Sequence, residues 1–294
     1  MSFNFGMFLF QSVTKAADTL AVATHGEGAS SGSWIIEEIS DSHTIDLNPF
    51  GVIHLPQFPP IHVAGMVIDL SITKHVVMLW VAALLLFIVL KIASGSYKRS
   101  LVPAGIATAI EMIVLFVRDE VVIPAMGEKG KKYLPYFLTL FFFIWFANLL
   151  GLIPYASTGT GNISVTASLA VIAFLVIQIS GMVEYGVIGY FKGLIPSHIP
   201  LFVVPIMAVV EFLGLFTKPF ALAVRLFANM IAGHIIILSL IGLIFIFGTL
   251  WVAPISLGFA LFIDLLEILV ATIQAYIFTI LTALFVGLAI HQEH

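Results

Sequence analysis

The sequence predicts an all-α polytopic membrane protein with about five spanning helices, an amphipathic helix, and a long, steeply tilted C-terminal helical hairpin. Three observations carry that expectation. Of 294 residues, 61% are hydrophobic and only 10% charged, whereas ordinary soluble domains carry roughly 25% charge. The mean hydropathy is +1.14. The apolar residues come in long uncharged runs, without the polar–apolar alternation that the strands of a transmembrane barrel need. Twelve Lys and Arg against sixteen Asp and Glu give a net charge of −4, so no basic face is expected and nucleic acid is excluded as a partner. There is no cysteine, which excludes a disulfide framework, a thiolate metal site and a cysteine nucleophile.

Residues 1–70 read as an acidic extramembrane arm. They hold seven acidic side chains (Asp18, Glu27, Glu37, Glu38, Asp41, Asp46 and Asp69) and one basic side chain, Lys15. Gly-Ser patches from Gly26 to Gly32 and the Pro56, Pro59, Pro60 cluster predict a partly irregular course. Phe3 to Val13 is apolar, and Ala21-Val22-Ala23 resembles a signal-peptide cleavage site. No Lys or Arg precedes the apolar run, whereas a signal peptide has a positively charged start. The expectation is a retained segment, such as an interfacial helix.

Residues 71–95 form the first expected span, with an uncharged core from Val76 to Leu90 between His75 and Lys91, where a lysine can snorkel to the interface. Residues 96–132 follow as a loop and amphipathic helix: Glu111, Arg118, Asp119 and Glu120 interrupt the apolar pattern of Leu101 to Pro124, which is too charged to cross. Residues 133–190 hold two spans, Leu134 to Pro154 and Ile163 to Val183, each of 21 residues. Seven basic residues (Lys91, Lys98, Arg99, Arg118, Lys129, Lys131, Lys132) lie between the first and second spans. The positive-inside rule places that loop and the C-terminus inside and the acidic arm outside. Lys192 falls inside again.

Residues 198–290 are expected to be a tilted hairpin, followed by a tail at 291–294. Leu226 to Ile263 is 38 residues with no charge other than a protonatable His234, and Ile268 to Ile290 is 23 more. Helices from Pro205 to Gly248 and Pro254 to Ile290 would contain 44 and 37 residues, about 66 and 55 Å at 1.5 Å per residue. Both exceed a hydrocarbon core of about 30 Å. Either each is broken, or the pair tilts steeply, as wrapping against a curved partner would require.

Ionisable groups in such runs cost a few kcal/mol or more each and mark function by default. Here they are Glu211, Lys218, Arg225, His234, Asp264 and Glu267, with Asn229 and Gln274 as polar company. Glu211, Lys218 and Arg225 are seven apart and Asn229 is four beyond, so the four share a helical face. His234, nine residues past Arg225, is turned by about 900° to the opposite side. Asp264, Glu267, Ala271 and Gln274 follow a 3-4-3 spacing and form one stripe. Arg225 is a fixed positive charge and no proton carrier. Ala221, Ala228, Ala232 and Gly233 around it admit close backbone approach. His234 titrates near neutrality and, with the Glu267 carboxylate, is of the kind that passes protons along a wet passage. The alternative is a structural ion pair in which Glu267 or Asp264 neutralises Arg225.

Lys218 to His234 reads KPFALAVRLFANMIAGH and Ile273 to Phe278 reads IQAYIF. These segments closely resemble the signature helices of subunit a of F-type ATP synthases. ANLLGLIP (Ala147 to Pro154) and TGNISVTASLA (Thr160 to Ala170) resemble that family's second and third spans, and the resemblance extends from about Val76 to Ile290. It implies a proton-conducting stator subunit that is not catalytic by itself, with a ring of c subunits, b-type peripheral stalk subunits, the rest of the complex and membrane lipids as partners, and no cofactor. Arg225 matches the family's essential arginine, Asn229 and Gln274 polar residues near it, and Glu211 a carboxylate of the cytoplasmic-side passage. His234 and Glu267 match a coupled acid–imidazole pair of the opposite half-channel, with Asp264 beside it. The pair's order is reversed relative to the best-studied bacterial pattern, as in mitochondrial and some other bacterial members, which implies a joint role and assigns the proton to neither group alone. The pair favours protons over sodium. The resemblance implies a bacterial inner membrane, with a mitochondrial inner membrane as the alternative.

A secondary transporter would show internal repeats with matched broken helices, which are not seen. An enzyme would carry an HExxH, nucleophile-elbow or phosphate-loop motif, also not seen. Lys218 reads either as an anionic-lipid contact or as a snorkelling side chain. His291 and His294 read as a terminal tail and not as a metal site.

Overall fold

The computed structural model describes residues 35, 40–42, 44–46, 52–57, 59, 61–63, 66–68, 71–97, 105–153, 158–193, 202–247 and 251–291. The apolar stretch Phe3 to Val13, with the expectation of an interfacial helix, lies outside the described residues, as does His294.

Within the arm, the Pro/Gly-rich composition conceals two short antiparallel ladders. Strand β1 (Thr44–Asp46) pairs with β2 (Val52–His54), setting Ile45 opposite Ile53. Strand β3 (Ile61–Val63) pairs with β4 (Met66–Ile68), setting His62 opposite Val67. Ile61-His62-Val63 and Met66-Val67-Ile68 are rich in the β-branched residues that favour strands.

Everything spanning is helical, as the sequence predicts. Helix α1 (Lys74–Tyr97) buries Ala82, Leu86 and Ala93 while exposing Trp80, Leu84 and Phe87. It leaves one narrow protein-facing seam, with the rest suited to lipid. The amphipathic segment is more broken than a single helix. Helix α2 (Ile106–Phe116) runs into a π-helical turn (Val117–Val122), a short α3 (Ile123–Met126) and a 3₁₀ segment (Gly127–Lys132). The wider π turn shifts the helical phase. Val117, Val121, Val122 and Met126 are all buried, while Arg118 forms a two-point pair with Asp119 on the outside (2.7 and 2.9 Å). That hydrogen bond from Arg118 holds the Asp119 carboxyl below its ordinary range.

Helix α4 (Leu134–Leu150) is the most enclosed in its middle, through Phe137, Leu140, Phe141, Phe142 and Ile144. It ends four residues before the Pro154 limit that the uncharged run implies. A 3₁₀ turn (Gly159–Gly161) leads into α5 (Ile163–Gly193). That element runs past the expected Val183 to a break at Gly186 (φ 73°), a conformation that favours glycine, and a second helical stretch continues from there to Gly193. Past the break Tyr190 packs back on Gly181, where a side chain would collide with the ring.

The two long helices, α6 (Val204–Phe247) and α7 (Val252–Ile290), are unbroken runs of 44 and 39 residues, and α6 continues through Pro219. Their lengths are about 66 and 58 Å. Four described helices are long and apolar enough to cross a membrane, and α4 is a fifth, shorter apolar helix.

The chain divides into two compact units. The larger, Asp41–Gly233 with Leu265–His294, has a core of α4 aromatics, the π-turn valines, Leu222, Leu226 and Met230 of α6, and Ala271, Ala275, Phe278, Ala283 and Val286 of α7. In the smaller unit, His234–Asp264 comprises the end of α6 and the start of α7. There the Ser256 hydroxyl donates to the Leu240 carbonyl, and Ser256 and Ala260, one turn apart, are buried.

Candidate functional site

The larger unit orders its polar residues through one seam. Leu222, Leu226 and Met230 are spaced four apart and fully buried, so one stripe of α6 is fixed against the protein. Arg225 precedes Leu226 by one residue and is therefore turned by about 100° to the flank of that stripe, where it is exposed. Ala221 and Ala228, four before and three after Arg225 on the same helix, are exposed as well, so small residues flank it. Among the described residues Arg225 makes no ion pair. The alternative of an internal ion pair to Glu267 therefore has no support in the structure.

One turn beyond Arg225, Asn229 Nδ2 donates to Gln274 Oε1 at 2.7 Å. Gln274 is 1% exposed, and its Nε2 has no hydrogen-bond partner among the described residues. On α7, Glu267, Ala271 and Gln274 occupy one stripe, as their spacing requires, and all three are buried. The Glu267 carboxylate, 5% exposed, sits where Gly233 has no side chain; a Cβ there would lie 2.5 Å from Oε1. Further along the seam Lys218 Nζ stands 5.3 Å from the centre of the Phe285 ring, a cation–π contact that holds the ammonium against protein. Residue numbers rise on α6 as they fall on α7 (218 with 285, 229 with 274, 233 with 267), so the two helices are antiparallel in this unit.

Glu211 is half-buried, next to Phe212, which meets Phe216 edge-to-face (5.3 Å), which in turn meets Phe174 of α5 (5.5 Å). His234 and Asp264 are half-buried and belong to the smaller unit. Among the described residues no cluster of His, Asp and Glu has the makings of a metal site.

Two further polar clusters mark the ends of the helices. At one, His75 Nδ1 is 2.7 Å from Asp41 Oδ1, Asn162 Nδ2 donates to Asp41 Oδ2 at 3.2 Å, and the Lys74 N–H donates to the Ser42 carbonyl at 3.0 Å. The arm is thus tied to the starts of α1 and α5. At the other, Lys129 Nζ donates to Glu184 at 2.5 Å, which raises the lysine pKa, and Tyr185 OH donates to the Ile290 carbonyl at 3.1 Å. Here the amphipathic segment, the far part of α5 and the end of α7 meet.

Sequence reasoning passed over Trp145, Asn148, Thr160 and Thr272, whose hydrogen bonds bridge α4 to α7; Asn148 and Thr160 are buried, Trp145 and Thr272 half-buried. Asn148 carried a signal, because it is a lone amide inside an uncharged run of 21 residues. Its α7 partner is a backbone carbonyl and carries none.

Residues 76–287 match the family described as ATP synthase A chain. The chain is 50% identical over 263 residues to ATP synthase subunit a of Chloroherpeton thalassium, covering 88% of this chain and 77% of the relative. It is 52% identical over 229 residues to ATP synthase subunit a of Myxococcus xanthus (77% and 75% covered). With ATP synthase subunit a of Pelodictyon phaeoclathratiforme it shares 46% identity over 292 residues (96% and 84% covered).

Proposed function

The chain belongs to the family of ATP synthase A chains, and from that premise we propose that it is the proton-conducting stator subunit a of an F-type ATP synthase. It is an integral membrane protein with bacterial relatives. The reading places it in a bacterial inner membrane with the acidic arm outside and the basic loop and C-terminus inside. Its partners on this reading are the c-subunit ring, b-type stalk subunits and the remaining complex. The chain supplies no catalytic site of its own.

Two half-channels, offset along the rotor, connect the two sides of the membrane to the c-ring. A proton enters through an outer passage formed by His234 and Glu267 with Asp264, and neutralises a c-ring carboxylate, which then turns into lipid. After nearly a full turn that carboxylate reaches the inner passage near Glu211, loses its proton and is attracted to Arg225. The fixed charge of Arg225 keeps the two passages from joining, because a guanidinium does not give up its proton. Each proton delivers about 2.3 kcal/mol per 100 mV of membrane potential. Helices of 44 and 39 residues suit this role if they run steeply tilted along the curved ring.

The observation that carries the reading is Arg225 itself: a permanent charge, exposed and flanked by Ala221 and Ala228, with no ion-pair partner among the described residues. The position of Glu211 on α6 supports it as well: it precedes Arg225 by 14 residues, about 21 Å of helix. The His75–Asp41–Asn162 and Lys129–Glu184 clusters fall at the helix ends that this topology assigns to the outer and inner surfaces. Reconstituted enzyme with Arg225→Ala should assemble, hydrolyse ATP and fail to synthesise ATP from an imposed proton gradient. Full coupled synthesis by that variant would overturn the reading.

A further inference from the structure

The hydrogen-bonded bridge between α4 and α7 takes no part in the proton path above, and two fully buried polar side chains within it, Asn148 and Thr160, need a reason. Trp145 and Asn148 lie nearly one turn apart on α4, and both reach α7. Trp145 Nε1 donates to Thr272 Oγ1 at 3.0 Å, and that hydroxyl in turn donates to the Ile268 carbonyl at 3.0 Å. Asn148 Nδ2 donates to the Ala271 carbonyl at 3.3 Å, while its Oδ1 accepts from Thr160 Oγ1 at 2.6 Å. Asn148 and Thr160 are fully buried. The 3₁₀ turn that carries Thr160 is seated in turn: a Cβ on Gly159 would lie 2.9 Å from Leu79 of α1.

The points of attachment matter. Ala271 and Thr272 lie between Glu267 and Gln274, the two α7 side chains that meet α6 at Gly233 and Asn229. Apolar packing is non-directional and resists sliding and rotation only through shape. Much of the α7 stripe is small residues (Ala271, Ala275, Ala283), which offer little shape to grip. A hydrogen bond to one named carbonyl does discriminate: a one-residue slip moves it by about 1.5 Å and 100°. The displaced Asn148 amide would then be buried without its acceptor, a costly state.

We propose that Trp145 and Asn148, the latter locked by Thr160, are positioning residues that fix the rotation and axial register of α7, and through it hold Glu267 at Gly233 and Gln274 on Asn229. The geometry stands independently of the proton-path reading; the functional consequence rests on it.

The test uses the assembled complex in its membrane. Thr160→Val keeps the shape and removes the hydroxyl, and Thr160→Ser restores it. Because the chain has no cysteine, a pair Asn229→Cys and Gln274→Cys reports register through its disulfide yield. Proton pumping driven by ATP is measured separately with Asn229 and Gln274 intact. Thr160→Val should lower both cross-link yield and pumping by roughly three- to tenfold, the bias of about one hydrogen bond, at unchanged complex content. Thr160→Ser should return both. If Thr160→Val does not assemble, the same two readouts in Trp145→Phe, which loses the indole donor, decide the matter. Unchanged cross-linking in the assembled variant overturns the proposal whatever pumping does. A reduced yield with full pumping leaves the positioning role standing and removes Asn229 and Gln274 from the proton path.

Discussion

Replacing Gly233 by alanine probes the tightest point between α6 and α7. The added methyl would stand 2.5 Å from Oε1 of Glu267, 2.7 Å from its Cδ and 3.1 Å from Oε2. Ordinary contact begins near 3.4 Å, so the carboxylate must retreat by about 0.9 Å, the difference between 3.4 and 2.5. Helix propensity acts in the other direction, since alanine stabilises a helix interior by about 1 kcal/mol relative to glycine. Crowding of a packed site costs about 1–3 kcal/mol. The net loss of stability is therefore modest, about 0–2 kcal/mol by difference of those two ranges, and the complex should assemble. Function is far more sensitive to position, since a misplacement of about 1 Å in a reacting group can cost up to about a hundredfold in rate. Inverted vesicles carrying the reconstituted complex report this through quenching of a pH-sensitive dye on ATP addition. Gly233→Ala should pump at least tenfold more slowly by that measure of roughly 1 Å. Gly95→Ala, whose added methyl meets nothing within 4 Å, should pump normally. Wild-type pumping by Gly233→Ala would show that the seat at Gly233 does not matter to Glu267.

Two other substitutions separate packing from tethering. Gly287 of α7 presses on the backbone carbonyl of Ala125, where a side chain has no room and a backbone atom cannot swing aside. Gly287→Ala should cost about 1–3 kcal/mol or more and reduce chain accumulation in membranes, and a normal level on immunoblot would refute the contact. His75→Ala should cost about 1 kcal/mol by removing the partner of Asp41, and should speed protease cleavage of the arm without touching pumping. Unchanged cleavage kinetics would show that the cluster does not hold the arm.

Helix positions were legible where an uncharged run has charged or breaking residues at both ends. The expected 205–248 and 254–290 differ from Val204–Phe247 and Val252–Ile290 by one or two residues at their starts and one at the end of α6. Spacing also placed Glu267, Ala271 and Gln274 on one face, because the 3.6-residue period does not depend on what lies opposite. Tertiary decisions were harder to read. The course of α5 past Val183 depends on Tyr190 finding the bare surface of Gly181. The π turn depends on which phase buries Val117 and Val121 best, an energy balance with no residue signature of its own. Asn148 bonds a main-chain oxygen, so nothing in the composition of α7 announces the bridge.

The distribution of charge bears on whether this surface can exist alone. An arginine at mid-membrane depth facing lipid costs about 2.5–3.5 kcal/mol by insertion scales, and the described residues provide Arg225 with no carboxylate. Nor do they cover it, since Arg225 is exposed, with the small Ala221 and Ala228 among its neighbours on α6. A structural ion pair would have solved both problems by bringing an acid inside the chain. On the proposed reading the acid comes from the rotor, so leaving the guanidinium unpaired within the subunit is the condition for pairing it with each passing carboxylate in turn. The same logic assigns the small residues a role: a bulky side chain beside Arg225 would hold a partner helix away, weakening an attraction that falls with distance. The cost of the exposed charge then becomes part of the affinity of stator for rotor, relieved only when an ionised carboxylate faces it.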